Sequence, residues 1–236
     1  MMGKLSLRSF VCGIGAFLLL WALAAHLLAM PVVPPPSEVF ARLAEKFTGV
    51  IAVHAGYSLM RIALGLSLAV AVGYPIGILM GYFPRVNRIL APMLYLAYPV
   101  PKIALLPVVM LIFGVGESGK ILLIFLIIVF QVVVAVRDAT AGIPAATYEP
   151  LRVLGASFWQ MVRHIVLPAS LPKFITAVRI AMATAISVLF FTETFGTKYG
   201  IGYYIMDAWL RVNYLDMYAG IAVLSAIGLL LFALLD

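Results

Sequence analysis

Long apolar runs, broken by charges, prolines and glycines, set the pattern of this chain from residue 10 onward. A bilayer span needs roughly 20 predominantly apolar residues. Inside lipid the backbone must satisfy its own hydrogen bonds, so each run of that length predicts a helix. The runs fall at about 10–30, 57–83, 89–113, 119–136, 173–195 and 216–235. The second holds Gly73, Pro75, Gly77 and Gly81 in its latter half, and the third is interrupted by Pro99, Pro101 and Pro107. The fourth is the most apolar of all. The first follows Lys4 and Arg8. It is longer than the apolar core of a cleaved signal peptide, so a retained helix that starts in the cytoplasm is expected. The fold class expected is an all-α membrane protein: six transmembrane helices forming one domain over residues 1–236.

Composition agrees. Only 11% of the residues are charged and 65% are hydrophobic, whereas soluble domains carry about 25% charged residues. Lipid is therefore the expected solvent for much of the surface. The net charge of +7 fits basic cytoplasmic loops, and no aromatic–basic interleaving or zinc spacing points to nucleic acid. With the N-terminus inside, the inner segments hold Lys4, Arg8, Arg85, Arg88, Arg137, Arg152, Arg163 and Lys173. The outer ones hold Arg42, Lys46, Lys120, Lys198 and Arg211, so the balance is eight to five. That excess favours both termini on the cytoplasmic side. The single cysteine, Cys12, excludes an internal disulfide. His26, His54 and His164 are isolated in sequence, so no metal site is expected.

On the outer face, Pro34-Pro35-Pro36-Ser37 before Glu38–Leu43 predicts a rigid turn, a Ser37 N-cap and a short amphipathic helix. Residues 196–216, rich in glycine and tyrosine, predict an interfacial loop. Tyr203, Tyr204, Tyr214 and Tyr218 are expected there as an aromatic belt, with a substrate cage as the alternative. Residues 114–121, GVGESGKI, match the start of a phosphate-binding loop. That loop needs a preceding strand and a hydroxyl residue after the lysine. Here a membrane helix precedes it and Ile121 follows it. The reading is a turn between spans, with Lys120 snorkelling at a helix end.

The longest inner segment, about 138–172, is not a plain linker. Ile143-Pro144 marks a turn, and Thr147 is expected to cap a helix with Glu149 and Pro150 in its first turn. Gly155 breaks that helix, and Ala156-Ser157 starts a second one carrying Phe158, Trp159, Met161, Val162 and Ile165. Leu167-Pro168 is expected to end it, and Pro172 to lead into the fifth span. Two short helices hinged at a glycine suit either a docking surface or an amphipathic pair lying on lipid.

Here the sequence resembles a known family. Glu149-Pro150-Leu151, three residues, Gly155, nine residues, Ile165-Val166-Leu167-Pro168 matches the EAA motif of permease subunits of binding-protein-dependent ABC importers. Pro150 and Leu151 stand where that family usually has two alanines. Residues 58–65, 73–81, 98–107 and 196–203 resemble the nitrate/sulfonate/taurine/bicarbonate branch of the type I importers, a branch that also includes importers of thiamine precursors and riboflavin. Its members usually continue with arginines past the point where this sequence stops.

The resemblance implies a type I importer permease fold, with a coupling segment between spans 4 and 5 that inserts into a groove on an ATPase. Glu149, Gly155, Ala156, Ser157, Ile165, Leu167 and Pro168 would belong to that segment. It also implies two permease copies, two cytoplasmic ATPase subunits that hold the ATP and magnesium, and an extracytoplasmic substrate-binding protein. This chain itself would bind no cofactor. The compartment implied is a bacterial cytoplasmic membrane.

Ionisable residues inside spans are functional candidates. Lys102 follows Pro99 and Pro101, whose missing N–H groups free carbonyls that need a cavity or a neighbour. A broken helix with a lysine at its break suits an anion path; snorkelling or pairing is the alternative. Glu193 is expected to pair with Lys102, Arg61 or Lys198, or to face the solute. Arg179 reads as a headgroup anchor. Pro99, Pro101, Lys102 and Glu193 are thus the pathway candidates. An ion-driven secondary transporter would need a repeat of its broken helices, and only one broken span is present. Glu193 stands alone and Asp207 and Asp216 lie at an edge, so no catalytic site is expected.

Overall fold

The computed structural model describes residues 7–235, and no strand occurs among the described residues. Lys4, counted above among the inner charges, and Asp236 lie outside them. Helix α1 is Leu7–Leu28. Helix α2, Pro36–Lys46, passes through a π turn at Phe47–Ile51 into α3, Ala52–Tyr82. Ser37 is not the N-cap. Pro35 takes that place, with Pro36 as the first helical residue, because a proline there has no N–H to cap and is already set for the helix.

The third apolar run is split into α4, Pro84–Ala97, a 3-10 turn at Lys102–Leu105, and α5, Leu106–Phe113. The two halves are bent by 80° at the break. Helix α6 is Glu117–Ala141 and α7 is Ala145–Val153. Pro144, not Thr147, precedes α7. Thr147 lies in the first turn, its backbone N–H donating to the Pro144 carbonyl at 3.0 Å.

Helix α8, Phe158–Met161, continues through a π turn at Val162–Val166 into α9, Leu167–Glu193. The expected end at Leu167-Pro168 does not occur. The wide π turn just before Pro168 absorbs the proline's missing N–H, a common place for such turns. Helix α10, Ile201–Leu210, and α11, Tyr214–Leu234, complete the chain.

Two compact units are formed, one by residues 7–61 with Leu189–Leu234 and one by Ile62–Val188. In the first, α11 packs on α10 and α2 around Val39, Ile51, Ile201, Tyr204, Ile205, Ala219 and Val223. The expected interfacial loop at 196–216 therefore contains a buried helix, and Tyr204 is core, not belt. Trp21 donates to the Pro34 carbonyl at 3.1 Å and stacks on Tyr218, which ties α1 to the same unit.

The second unit is built on α6, whose Leu123, Ile124, Ile128, Val132 and Val136 are buried. Helix α3 lies against it along a glycine face. A Cβ on Gly77 would stand 2.7 Å from Val136 Cβ, and one on Gly81 2.5 Å from Thr140 Cβ. Lipid offers no hydrophobic drive between helices, so close backbone approach at small residues supplies the packing instead.

Candidate functional site

Three groups of polar or exposed residues stand out against this apolar frame. The first is the segment between α6 and α9. Helix α7 ends at Val153, and Gly155 reverses the chain with φ +71°, a left-handed conformation that side chains resist. Ser157 then caps α8: its hydroxyl accepts from Gln160 N–H, and the Gln160 side chain accepts from Ser157 N–H at 2.7 Å. That reciprocal box fixes where the second helix starts. Around the reversal Val153, Leu154 and Trp159 are 87%, 80% and 75% exposed, an apolar knob. Its base is anchored by aromatic rings. Tyr82 at the end of α3 packs edge-on against Phe158 at 5.1 Å and Tyr148 at 5.8 Å, and its hydroxyl reaches Met161 Sδ. Burial, then Tyr82, raises the Tyr148 phenol pKa, with Arg152 opposing.

Of the coupling candidates, Glu149, Gly155 and Ser157 are exposed and Ala156 is half-buried. Ile165 is buried in the π turn, while Leu167 and Pro168 are exposed at the start of α9.

The second group is at the broken span. Pro101 has no N–H to offer the Ala97 carbonyl at the end of α4. Lys102 supplies donors instead, its Nζ bonding Ala97 O at 2.7 Å and Tyr98 O at 2.6 Å. A cation at a helix C-terminus also matches the helix dipole. The ammonium lies 4.9 Å from the Phe130 ring centre and 5.6 Å from that of Tyr98. A cavity of about 310 Å³ opens beside it. Pro101 and Lys102 line this cavity, and Pro99 lines a second one that shares Tyr98.

The third group is a buried ionic clasp. Arg61 and Glu193 have none of their side chains exposed and meet at 2.6 Å. Ser58 Oγ donates to Glu193 and accepts from Ile201 N–H at 2.9 Å. Gly202 N–H donates to the carboxylate at 2.8 Å, and Arg61 also donates to the Tyr199 carbonyl at 2.9 Å. The Gly200 amide donates to His54 Nδ1 at 3.1 Å. Glu193 thus pairs with Arg61, one of the three cations considered for it, and its carboxylate is enclosed within this network. A Cβ at Gly200, where φ is +127°, would run into both Glu193 and Arg61.

Lys120 also departs from expectation. It is buried, and its Nζ folds back to the Val115 carbonyl at 2.6 Å, closing the turn before α6. Arg179 donates to the Leu235 carbonyl at 2.8 Å.

Residues 73–236 match the family model described as binding-protein-dependent transport system inner membrane component. The chain belongs to that family. This permease is therefore a multi-pass, non-catalytic subunit of an inner-membrane importer. It is 34% identical over 218 residues to the taurine transport system permease protein TauC of Escherichia coli (strain K12), covering 89% of this chain and 79% of that one. It is 33% identical over 198 residues to the putative aliphatic sulfonates transport permease protein SsuC of Bacillus subtilis (strain 168), covering 84% and 72%. Its fold matches a chain of the MetNI methionine ABC transporter in an inward-facing conformation, with a TM-score of 0.69 at 20% identity, over 79% of this chain and 93% of that chain.

Three features of the permease were missed from sequence. The aromatic anchor at Tyr82, Tyr148 and Phe158 gave no short-range signal. The glycine face of α3 was visible as Gly73, Gly77 and Gly81, four residues apart, a spacing that marks close helix contact. Gln131, a lone amide in the most apolar run, was passed over, although a polar residue at such a position is itself a signal.

Proposed function

We propose that this chain is the pore-forming subunit of an ATP-driven importer for a small organic anion of the sulfonate class. Two copies enclose the path. Two cytoplasmic ATPase subunits, which hold the ATP and magnesium, dock on the 138–172 segment, and an extracytoplasmic binding protein delivers the solute. Both termini are cytoplasmic. ATP binding closes the ATPase pair, draws the two segments together and opens the outer side; hydrolysis resets the pore. The chain contributes no covalent chemistry.

The observation that carries this reading is the apolar knob at Val153–Trp159, rigidly built on rings and a capping box yet left uncovered. Exposed apolar surface of that kind marks a protein partner. The coupling residues are Glu149, Gly155, Ala156 and Ser157, with Ile165, Leu167 and Pro168 joining them to α9. The anionic character of the solute is supported by Lys102 at the break and by TauC and SsuC, named for taurine and aliphatic sulfonate transport.

The test is Gly155→Val in the complex reconstituted with its ATPase and binding protein. A Cβ there meets nothing within 4 Å, so only the backbone conformation is strained, by about 1–2 kcal/mol. Insertion and assembly persist, and substrate-stimulated ATP hydrolysis falls sharply. Gly155→Asn, which tolerates the left-handed region, restores it. Full stimulation in the valine variant would remove the segment from the coupling role.

A further inference from the structure

The cavity beside Lys102 is lined by three side chains that carry unused hydrogen-bonding capacity. A lysine ammonium has three donors. Two of them are taken by the Ala97 and Tyr98 carbonyls, which leaves one N–H. Gln131 and Thr184 line the same cavity from α6 and α9. Among the described residues neither the Gln131 amide nor the Thr184 hydroxyl has a hydrogen-bond partner in the protein. Such groups inside membrane helices are costly unless they meet a partner or water. Ile127, Phe130 and Val188 complete the lining with apolar surface.

We infer that Lys102, Gln131 and Thr184 form a solute subsite within the pore, selective for a small oxyanion carried on a short apolar stem. The ammonium supplies the charge. The Gln131 NH2 and the Thr184 hydroxyl donate to two of the anion's oxygens, and the Ile127–Phe130 side accommodates the stem. At about 310 Å³ the cavity is near the lower bound of small-molecule sites, roughly 300–1,000 Å³. Tyr98 lines this cavity and also a larger one of about 760 Å³, which carries Arg88 and Arg137. The anion leaves the subsite past the Tyr98 ring toward those two arginines. Selection in the importer is thereby shared between the binding protein and the pore.

This inference rests on the importer reading above, and its test separates the two. The sole cysteine, Cys12, is replaced (Cys12→Ser) and Gln131→Cys is introduced into the full complex in membranes. Thiol modification is then timed with two reagents of similar size, one ending in a sulfonate and one in a quaternary ammonium. The sulfonate reagent reacts faster by about tenfold or more, the scale on which a lined cleft concentrates an opposite charge. Adding Lys102→Gln removes that preference. A preference that survives Lys102→Gln, or a cysteine that neither reagent reaches, overturns the subsite.

In proteoliposomes driven by ATP, with 2-aminoethanesulfonate as the probe, Thr184→Val and Gln131→Leu each lower uptake about tenfold, as expected for losing one hydrogen bond to a charged group. Thr184→Ser restores it. Unchanged uptake in both apolar variants also overturns the subsite. A Lys102-dependent reagent preference in a complex that does not transport the sulfonate keeps the subsite and overturns the solute class proposed above.

Discussion

Arg61 sits in α3 with no part of its side chain exposed, against Glu193, the Tyr199 carbonyl and Thr197. Lys102 sits at the break between α4 and α5, half-buried, on the wall of a cavity, holding two backbone carbonyls. Both put a positive charge in an apolar run, and the cost of doing so is met differently. At Arg61 a carboxylate balances the charge, and that carboxylate is itself satisfied by Ser58 and Gly202. The arrangement is closed and ties α3 to the end of α9 and the start of α10. At Lys102 no carboxylate is near enough for an ion pair among the described residues, and the site stays open on one side. A charge held by neutral carbonyls beside a cavity keeps much of its attraction for an incoming anion; one cancelled by a buried carboxylate does not. Burial with full pairing closes the Arg61 site, whereas partial burial leaves spare donor capacity beside a cavity at Lys102.

The sharpest way to break that contrast is to remove one half of the clasp. Arg61→Met leaves the Glu193 carboxylate enclosed and unpaired, and truncating one partner of a buried pair costs about 3–5 kcal/mol. The thermal midpoint of the complex in mild detergent should fall well below that of the parent. Arg61→Met with Glu193→Leu should recover most of the loss, since replacing a whole buried pair by apolar groups is often close to neutral. A single variant as stable as the parent would mean that the clasp holds nothing together.

The pairing at stake shows where sequence reading stops. The spans were legible because lipid imposes length and apolarity on contiguous residues, and the break at 98–101 because prolines remove donors locally. The local build of the 138–172 segment was legible through Gly155, where the first helix breaks, and through Ser157, whose cap acts within three residues. Arg61 and Glu193 are 132 positions apart, and nothing local distinguishes Arg61 from Lys102 or Lys198 as the partner. Helix α10 was hidden for the same reason. Its glycines and tyrosines look like a loop until Val39, Ile51 and Ala219 are packed on Ile201, Tyr204 and Ile205. Burial there, followed by the Asp216 carboxylate, pushes the Tyr204 phenol up to about 12.

A gentler probe acts on the clasp from its neutral side. Ser58 Oγ is shared between the Glu193 carboxylate and the Ile201 amide. Ser58→Ala removes a donor from the first and the acceptor from the second, each buried. Leaving such groups unsatisfied costs about 1–3 kcal/mol. Amide exchange at Ile201 should quicken while exchange in the middle of α6 stays unchanged. Equal protection at Ile201 in variant and parent would show that Ser58 is a bystander to the ion pair.

The smallest change in stability is expected at Lys102, and there the contrast is most exposed to refutation. Lys102→Met keeps the side-chain length, and loses two hydrogen bonds to carbonyls and a favourable interaction with the α4 dipole. The dipole contribution is about 0.3–1 kcal/mol, and water in an open cavity can reach the freed carbonyls. The midpoint should therefore stay near the parent value while sulfonate uptake drops. Lys102→Arg separates charge from shape: the guanidinium still holds the carbonyls and the charge, but its planar fork differs from a compact ammonium. Uptake in that variant should lie between parent and methionine. If Lys102→Met instead melts the complex as severely as Arg61→Met, the lysine is chiefly the cap that Pro101 makes necessary. The open side of its cavity would then be a by-product of the bend, and both membrane cations would belong to the scaffold.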